Sequence, residues 1–265
     1  MLRPAAREGV FTGRIIGEVA GGGKVATARP PPRMHAMPTV AIIPARGGSK
    51  GLPGKHLRLL GGEPLIVHTI RASLAARRVD RTVVSTDDPA IRSVALRAGA
   101  DAPFLRPPEL AADDAPTLGV IRHAVEWLEH QGQRVDLVVT LQPTSPLRGA
   151  AEIDQAVHLL DDPEVGSAVS VTTLEWPSTV IGRLRDGVFE PLVLPGADVR
   201  RQVAPPAARI TGAVYVTRRS VLAGGRLLDD RPAACLASGA SAIDIDSRAD
   251  LVAARRAWRR MGGGR

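Results

Sequence analysis

Cysteine is almost missing from this chain of 265 residues: Cys235 stands alone. A single thiol excludes an intramolecular disulfide and fits a reducing compartment, so a cytoplasmic location is expected. Aromatic residues are scarce too, with three Trp, three Phe and one Tyr, which leaves the core to Leu, Val, Ile and Ala. No run reaches the ~18 apolar residues of a membrane span, so no membrane insertion is expected. Zinc-finger spacing, a platform of stacking aromatics and a basic region with heptads are all missing, and no tandem repeat is detectable. Lysine is the last scarcity. Of 35 basic residues only Lys24, Lys50 and Lys55 are lysines, and two of the three fall in one short loop.

The charge balance alone, a formal +8, invites a nucleic-acid reading, but its distribution argues against one. Residues 1–36 hold six cations against Glu8 and Glu18, together with Gly21-Gly22-Gly23 and Pro30-Pro31-Pro32. They read as a disordered leader, with Met34 or Met37 as a candidate start. Arg255, Arg256, Arg259 and Arg260 read as the solvated end of a C-terminal helix. No nucleic-acid partner is expected, and residues 37–265 are expected to form the folded domain.

The stretch that organises this domain is Val40 to Leu59. Val40-Ala41-Ile42-Ile43 reads as a buried parallel strand. It runs into Pro44 to Lys55, a loop with four glycines and the cations Arg46, Lys50 and Lys55. Glycines let the backbone approach a ligand and present N–H groups to it. The loop is neither a Walker A box nor a dinucleotide turn, yet a strand ending in a glycine-rich cationic loop suits phosphate.

Helices alternate with strands downstream. Helices are predicted over 65–76, 91–98, 118–130, 150–160 and 248–261. Strands are predicted over 81–85, 101–105, 135–141, 167–171 and 209–217. Leu65, Ile66, Ile70 and Leu74 form the apolar side of the first helix. Thr86 to Pro89 reads as a cap, with Asp87 the capping candidate. Residues 182–206 suit a hairpin or lid. The pattern predicts a single α/β domain with a mixed, mainly parallel sheet and helices on both faces. In such sheets ligands bind outside the carboxyl ends of the strands. The 46–55 loop, Asp87, Arg106 and Gln142 should therefore meet in one polar crevice. In Ala242-Ile243-Asp244-Ile245-Asp246-Ser247 a strand period of two would place both carboxylates on one face. That pair suits Mg²⁺, while Asp246 or Ser247 could also cap the last helix.

These segments resemble the acylneuraminate cytidylyltransferases, also called CMP-sialic acid synthetases. The resemblance runs from about Pro38 to Leu251. It rests on Ile42 to Lys55, Ser85 to Asp88, Arg106 to Leu110, Leu141 to Arg148, Arg201-Gln202, Gly212 to Tyr215, and Asp244 to Asp246. It implies a Rossmann-like nucleotide-diphospho-sugar transferase fold. The implied reaction transfers CMP from CTP to the anomeric hydroxyl of an acidic 2-keto sugar, N-acylneuraminate or a related nonulosonate, and releases pyrophosphate. Arg46 and Lys55 would contact the triphosphate, and Ala45, Gly47, Gly48, Ser49, Lys50 and Gly51 would wrap it. His56, Asp87, Arg106, Ala115 and Thr117 would complete the nucleotide site. Gln142, Thr144, Ser145, Arg201 and Gln202 would face the sugar, and Asp244 and Asp246 would hold Mg²⁺. The resemblance also implies a homodimer, for which an apolar protruding hairpin would be the structural sign. The chain departs from the family pattern at His56 and Thr211, where asparagine is usual, and has Ser178-Thr179 where the sialic-acid enzymes carry a lysine. Two alternatives stay open: a non-sialic acceptor (another ulosonate or a phosphonate), and a nucleotide-binding protein without catalysis.

Overall fold

The computed structural model describes residues 37–48, 51–177, 180–191, 206–237 and 239–263. The leader expected over 1–36 lies outside these residues, as do Ser49, Lys50, Arg201 and Gln202.

The chain opens with strand β1 (Thr39–Pro44), whose residues are buried up to Ile43. After the loop comes a 3-10 turn at Lys55–Leu57, and a small hairpin pairs β2 (Leu59–Leu60) with β3 (Glu63–Pro64). Helix α1 (Leu65–Ala75) follows, then β4 (Arg81–Ser85) and α2 (Pro89–Arg97). Next come α3 (Thr117–His130), β5 (Leu137–Thr140) and α4 (Ala150–His158). The long strands β6 (Ser167–Pro177) and β9 (Pro206–Arg218) flank a hairpin of β7 (Gly182–Arg185) and β8 (Val188–Pro191). A short α5 (Arg219–Ala223), edge strand β10 (Ala233–Leu236) and α6 (Arg248–Arg260) complete the described chain.

Six strands form the main sheet in the order β10-β6-β9-β5-β1-β4. Strand β1 pairs parallel with β4 and β5, and β10 pairs parallel with β6. Only β9 runs against its neighbours β5 and β6. This is the mixed, mainly parallel sheet expected from the alternation of helices and strands. The pleat of β1 separates the two layers: Ala41 and Ile43 pack with α1, α2 and α4, whereas Val40 and Ile42 pack with α3. Both faces are thus covered by helices, which explains why β1 is apolar at every position from Val40 to Pro44 rather than at alternate ones. A third cluster joins Leu52, Leu60, Leu65, Leu147 and Ile245 to Leu251 and Ala254 of α6. It fixes the loop after β1 against the segment that carries Asp244 and Asp246.

Four local expectations need correction. Asp101 to Leu105 is not a strand; Asp101 alone makes one parallel bridge, to Val83. Leu74 is 49% exposed, because the inward stripe of α1 runs through Ile66, Val67 and Ile70. The cap of α2 is Asp88, whose Oδ1 accepts from the Ala90 N–H at 2.7 Å, so Asp87 is free for another role. Residues 242–247 are not a strand. Ile245 turns inward because the third core cluster takes it, and its N–H donates to the Thr144 carbonyl at 2.8 Å rather than to a ladder. The expected cap does form there, with Ser247 and Asp250 making a capping box.

Candidate active site

The carboxyl ends of β1, β4 and β5 are tied together by backbone hydrogen bonds beyond the strands. Ala45 N–H donates to Ser85 O at 3.0 Å, and Leu141 N–H donates to Ile42 O at the same distance. The Gly47 N–H donates to Asp87 Oδ1 at 3.0 Å, so the side chain read as a cap instead holds the start of the glycine loop. The loop closes tightly onto the far end of the chain. A Cβ at Gly51 would lie 2.6 Å from the Asp246 carbonyl oxygen, which only glycine avoids.

Beside this loop lies a cavity of about 260 Å³ lined by Pro44, Arg46, His56, Arg106, Leu110, Ala112, Asp113, Ala115, Thr117, Val120, Gln142, Pro143 and Thr144. Seven of the residues singled out from sequence therefore meet in one space: Arg46, His56, Arg106, Ala115, Thr117, Gln142 and Thr144. Arg106 is 5% exposed, and its guanidinium donates to Ser85 Oγ at 3.2 Å, to Leu110 O at 3.3 Å, and to Ser85 O. It staples the end of β4 to the turn at Pro108–Leu110 as well as lining the cavity. Burial lowers its pKa to about 10, against the pull of Asp87, so it stays cationic at neutral pH. His56 is also buried, and its Nδ1 has no hydrogen-bond partner. Burial first, then the positive charges of Lys55, Arg106 and Arg46, lowers its pKa to about 4. His56 is a neutral imidazole at physiological pH.

On the other side of the loop, Lys55 Nζ lies 2.7 Å from Asp246 Oδ1, with the lysine side chain 13% exposed and the aspartate 72%. Asp244 differs from its neighbour: its Oδ1 is buried without a partner. Its negative charge is felt by Tyr215, whose pKa is raised by burial and then by Asp244, and by Arg148. Among the described residues no group of three or more His, Cys, Asp or Glu converges.

Arg148 is a functional candidate that sequence reading passed over. It is 3% exposed and donates to Thr69 Oγ1 at 2.9 Å, to Ala213 O and to Gln142 O. Burial lowers its pKa to about 9, opposed by Glu152 and Asp244. One guanidinium thus links α1, β9 and the loop carrying Gln142. Its place at the end of the Leu141–Arg148 segment was the one sequence signal that set it apart from the many exposed arginines. Asp113 was passed over too; its Oδ1 lies 2.6 Å from Arg46 NH1. Gln142 is set against β9, since a Cβ at Gly212 would lie 3.2 Å from its Oε1. Ser145 is fully buried, and its hydroxyl has no partner. Thr211 belongs to the sheet rather than the cavity: its Oγ1 lies 2.7 Å from Ser170 Oγ, and it is 2% exposed.

A mainly parallel sheet with a polar crevice at the carboxyl ends of β1, β4 and β5 is the arrangement in which open α/β folds bind ligands. The cytidylyltransferase family profile matches residues 40–180, and the chain belongs to that family. It is 43% identical over 123 residues to the CMP-N,N'-diacetyllegionaminic acid synthase of Legionella pneumophila, covering 46% of this chain and 53% of that one. It is 31% identical over 221 residues to an N-acylneuraminate cytidylyltransferase of Streptococcus agalactiae, covering 82% of this chain and 52% of that one. The chain therefore spans about half the length of these curated relatives. Among solved structures, a CMP:2-keto-3-deoxy-manno-octonic acid synthetase complexed with CTP shares the fold. Its TM-score is 0.63 at 23% identity, with 84% of this chain and 99% of that chain covered.

Proposed function

We propose that this chain is a CTP-dependent cytidylyltransferase whose acceptor is an acidic 2-keto sugar of the nonulosonate class. The observation that carries the reading is the cavity at the carboxyl edge of β1, β4 and β5, in which Arg46, His56, Arg106 and Gln142 meet. The family of the chain and the names of its relatives support it.

The anomeric oxygen of the sugar forms a bond to the α-phosphorus. The bond from that phosphorus to the α,β-bridging oxygen breaks, and the electron pair leaves with pyrophosphate. The hydroxyl proton passes to solvent water, and the CMP-sugar remains. Such a transfer needs charge neutralisation and in-line placement rather than a covalent nucleophile. Arg46, Lys55, Lys50 and the backbone of residues 45–51 hold the triphosphate. His56, a neutral donor and acceptor, lies with Arg106, Ala115 and Thr117 at the nucleoside end. Gln142, Thr144, Ser145, Arg201 and Gln202 serve the sugar end. Asp244 and Asp246 fit Mg²⁺: one offers a buried oxygen without a donor, and the other is largely exposed beside Lys55. Two carboxylates suffice because Mg²⁺ keeps waters and takes substrate phosphates as further ligands. When bound there, Mg²⁺ supplies positive charge to the phosphates.

The family resemblance and the exposed apolar β7-β8 hairpin support a homodimer as the working form. Leu184 on that hairpin is 79% exposed and Phe189 56%.

The reading is tested by pyrophosphate release from the full chain with CTP, Mg²⁺ and a panel of 2-keto acidic sugars, with ATP, GTP and UTP as controls. Release with CTP and one acceptor is expected, falling at least ~100-fold in the Asp244→Asn/Asp246→Asn double variant. Release that needs no acceptor, or that is indifferent to both substitutions, would overturn it.

A further inference from the structure

Arg46 stands one residue beyond Ala45, where the β1 backbone is still pinned to Ser85, and its side chain reaches Asp113 at 2.6 Å. Asp113 belongs to the segment between the Pro108–Leu110 turn and the start of α3 at Thr117. That segment also gives Ala112 and Ala115 to the cavity. One carboxylate thus bridges the phosphate loop and the nucleoside wall. The pair is not sealed: the Arg46 side chain is 31% exposed and that of Asp113 is 43%. An ion pair so open to water is weakly held, so a multiply charged anion can displace it. Lys55 is paired with Asp246 in the same way, but Asp246 has a second use as a candidate cation ligand. Asp113 does not belong to that carboxylate pair, and its negative charge stays beside any phosphate that arrives at Arg46.

We propose that Asp113 is a positioning residue that acts through Arg46: a resident counter-ion that polyphosphate must displace, and that reclaims the guanidinium as pyrophosphate leaves. The inference rests on the cytidylyltransferase reading and adds a control on product release. Arg46 is held in place before substrate arrives, so it is not lost to solvent conformations. The carboxylate weakens the hold on polyphosphate, because each ligand must replace an existing partner and meet its charge. Pyrophosphate, with no base or ribose to anchor it, is the ligand most affected.

The experiment compares the full chain with Asp113→Asn and Asp113→Glu by calorimetric titration with inorganic pyrophosphate, tripolyphosphate, CTP and uncharged cytidine. Asp113→Asn is expected to bind pyrophosphate and tripolyphosphate about three- to tenfold more tightly. Its affinity for cytidine is expected to stay within about twofold, and Asp113→Glu to behave as the parent. In turnover, the asparagine variant should lower KM for CTP and also kcat, since release slows. Unchanged or weaker pyrophosphate binding in Asp113→Asn overturns the proposal. So does equal tightening in both variants, which would make Asp113 a packing residue. Should tripolyphosphate tighten as expected while CTP shows no preference over ATP, GTP and UTP, the CTP reading falls and the role of Asp113 stands. CTP preference with no effect of Asp113→Asn gives the reverse.

Discussion

His56 is a buried imidazole with an unpartnered Nδ1, set among three cations. Its folded pKa of about 4 lies below the ordinary histidine value of 6.5. Between these two values the unfolded chain binds more protons than the folded one, so stability rises with pH across that window and is lost as pH falls through it. Replacing His56 by Asn should remove this dependence. Denaturant titrations at pH 5 and pH 7 should show the parent gaining about 2 kcal/mol that the variant does not gain. An equal slope in both would place the burial or the charge of His56 wrongly. The presence of His56 in the loop was legible from its place after Lys55. Its neutral state was not, because the largest cause is a burial that only the folded loop creates, and Arg106, remote in sequence, adds its charge to that of the neighbouring Lys55. The same limit hid the true cap of α2. Asp87 and Asp88 are equivalent on paper, and the Gly47 N–H that claims Asp87 lies 40 residues away.

At the scale of elements, the site depends on three segments held by one buried guanidinium. Arg148 accounts for much of the placement of Gln142 by binding its carbonyl while also bonding Thr69 and Ala213. Arg148→Met keeps the bulk and removes the charge, leaving those acceptors and Asp244 without their cation. It should cost roughly 3–5 kcal/mol in denaturant unfolding, with loss of transferase activity under conditions where the variant remains folded. A neutral effect on both would reduce Arg148 to filler. The strands with an unbroken apolar run, β1 and β5, were readable because a parallel strand buried on both faces has that signature. The 242–247 segment shows where the signature misleads. Its alternation of Ile and Asp imitates a half-buried strand, yet Ile245 is drawn in by Leu52, Leu147 and α6 rather than by a sheet neighbour. Strand β10 was missed for the opposite reason: Ala233-Ala234-Cys235-Leu236 has little β propensity and gains its place from pairing with β6.

For the molecule as a whole, alternation of helices and strands sufficed to foresee a sheet covered on both faces. The reversed direction of β9 was not foreseeable, since direction depends on connections rather than on strand composition. The β7-β8 hairpin turns at Asp186-Gly187, both with positive φ, as expected of a tight two-residue turn. It carries Leu184, Val188 and Phe189 into solvent. Three apolar side chains so exposed fit burial by a second copy of the chain. Light scattering should give twice the 27.9 kDa of one chain, and Leu184→Glu/Phe189→Glu should give a monomer. A parent that is monomeric at micromolar concentration would contradict the dimer without touching the chemistry. The chemistry is tested most directly by following phosphorus itself. The full chain, CTP, Mg²⁺ and the acceptor that supports pyrophosphate release are observed by ³¹P NMR. The three CTP resonances should give way to pyrophosphate and one new phosphodiester in equal amounts. Pyrophosphate accompanied by free CMP would mean hydrolysis rather than transfer to a sugar, and would contradict the proposed function.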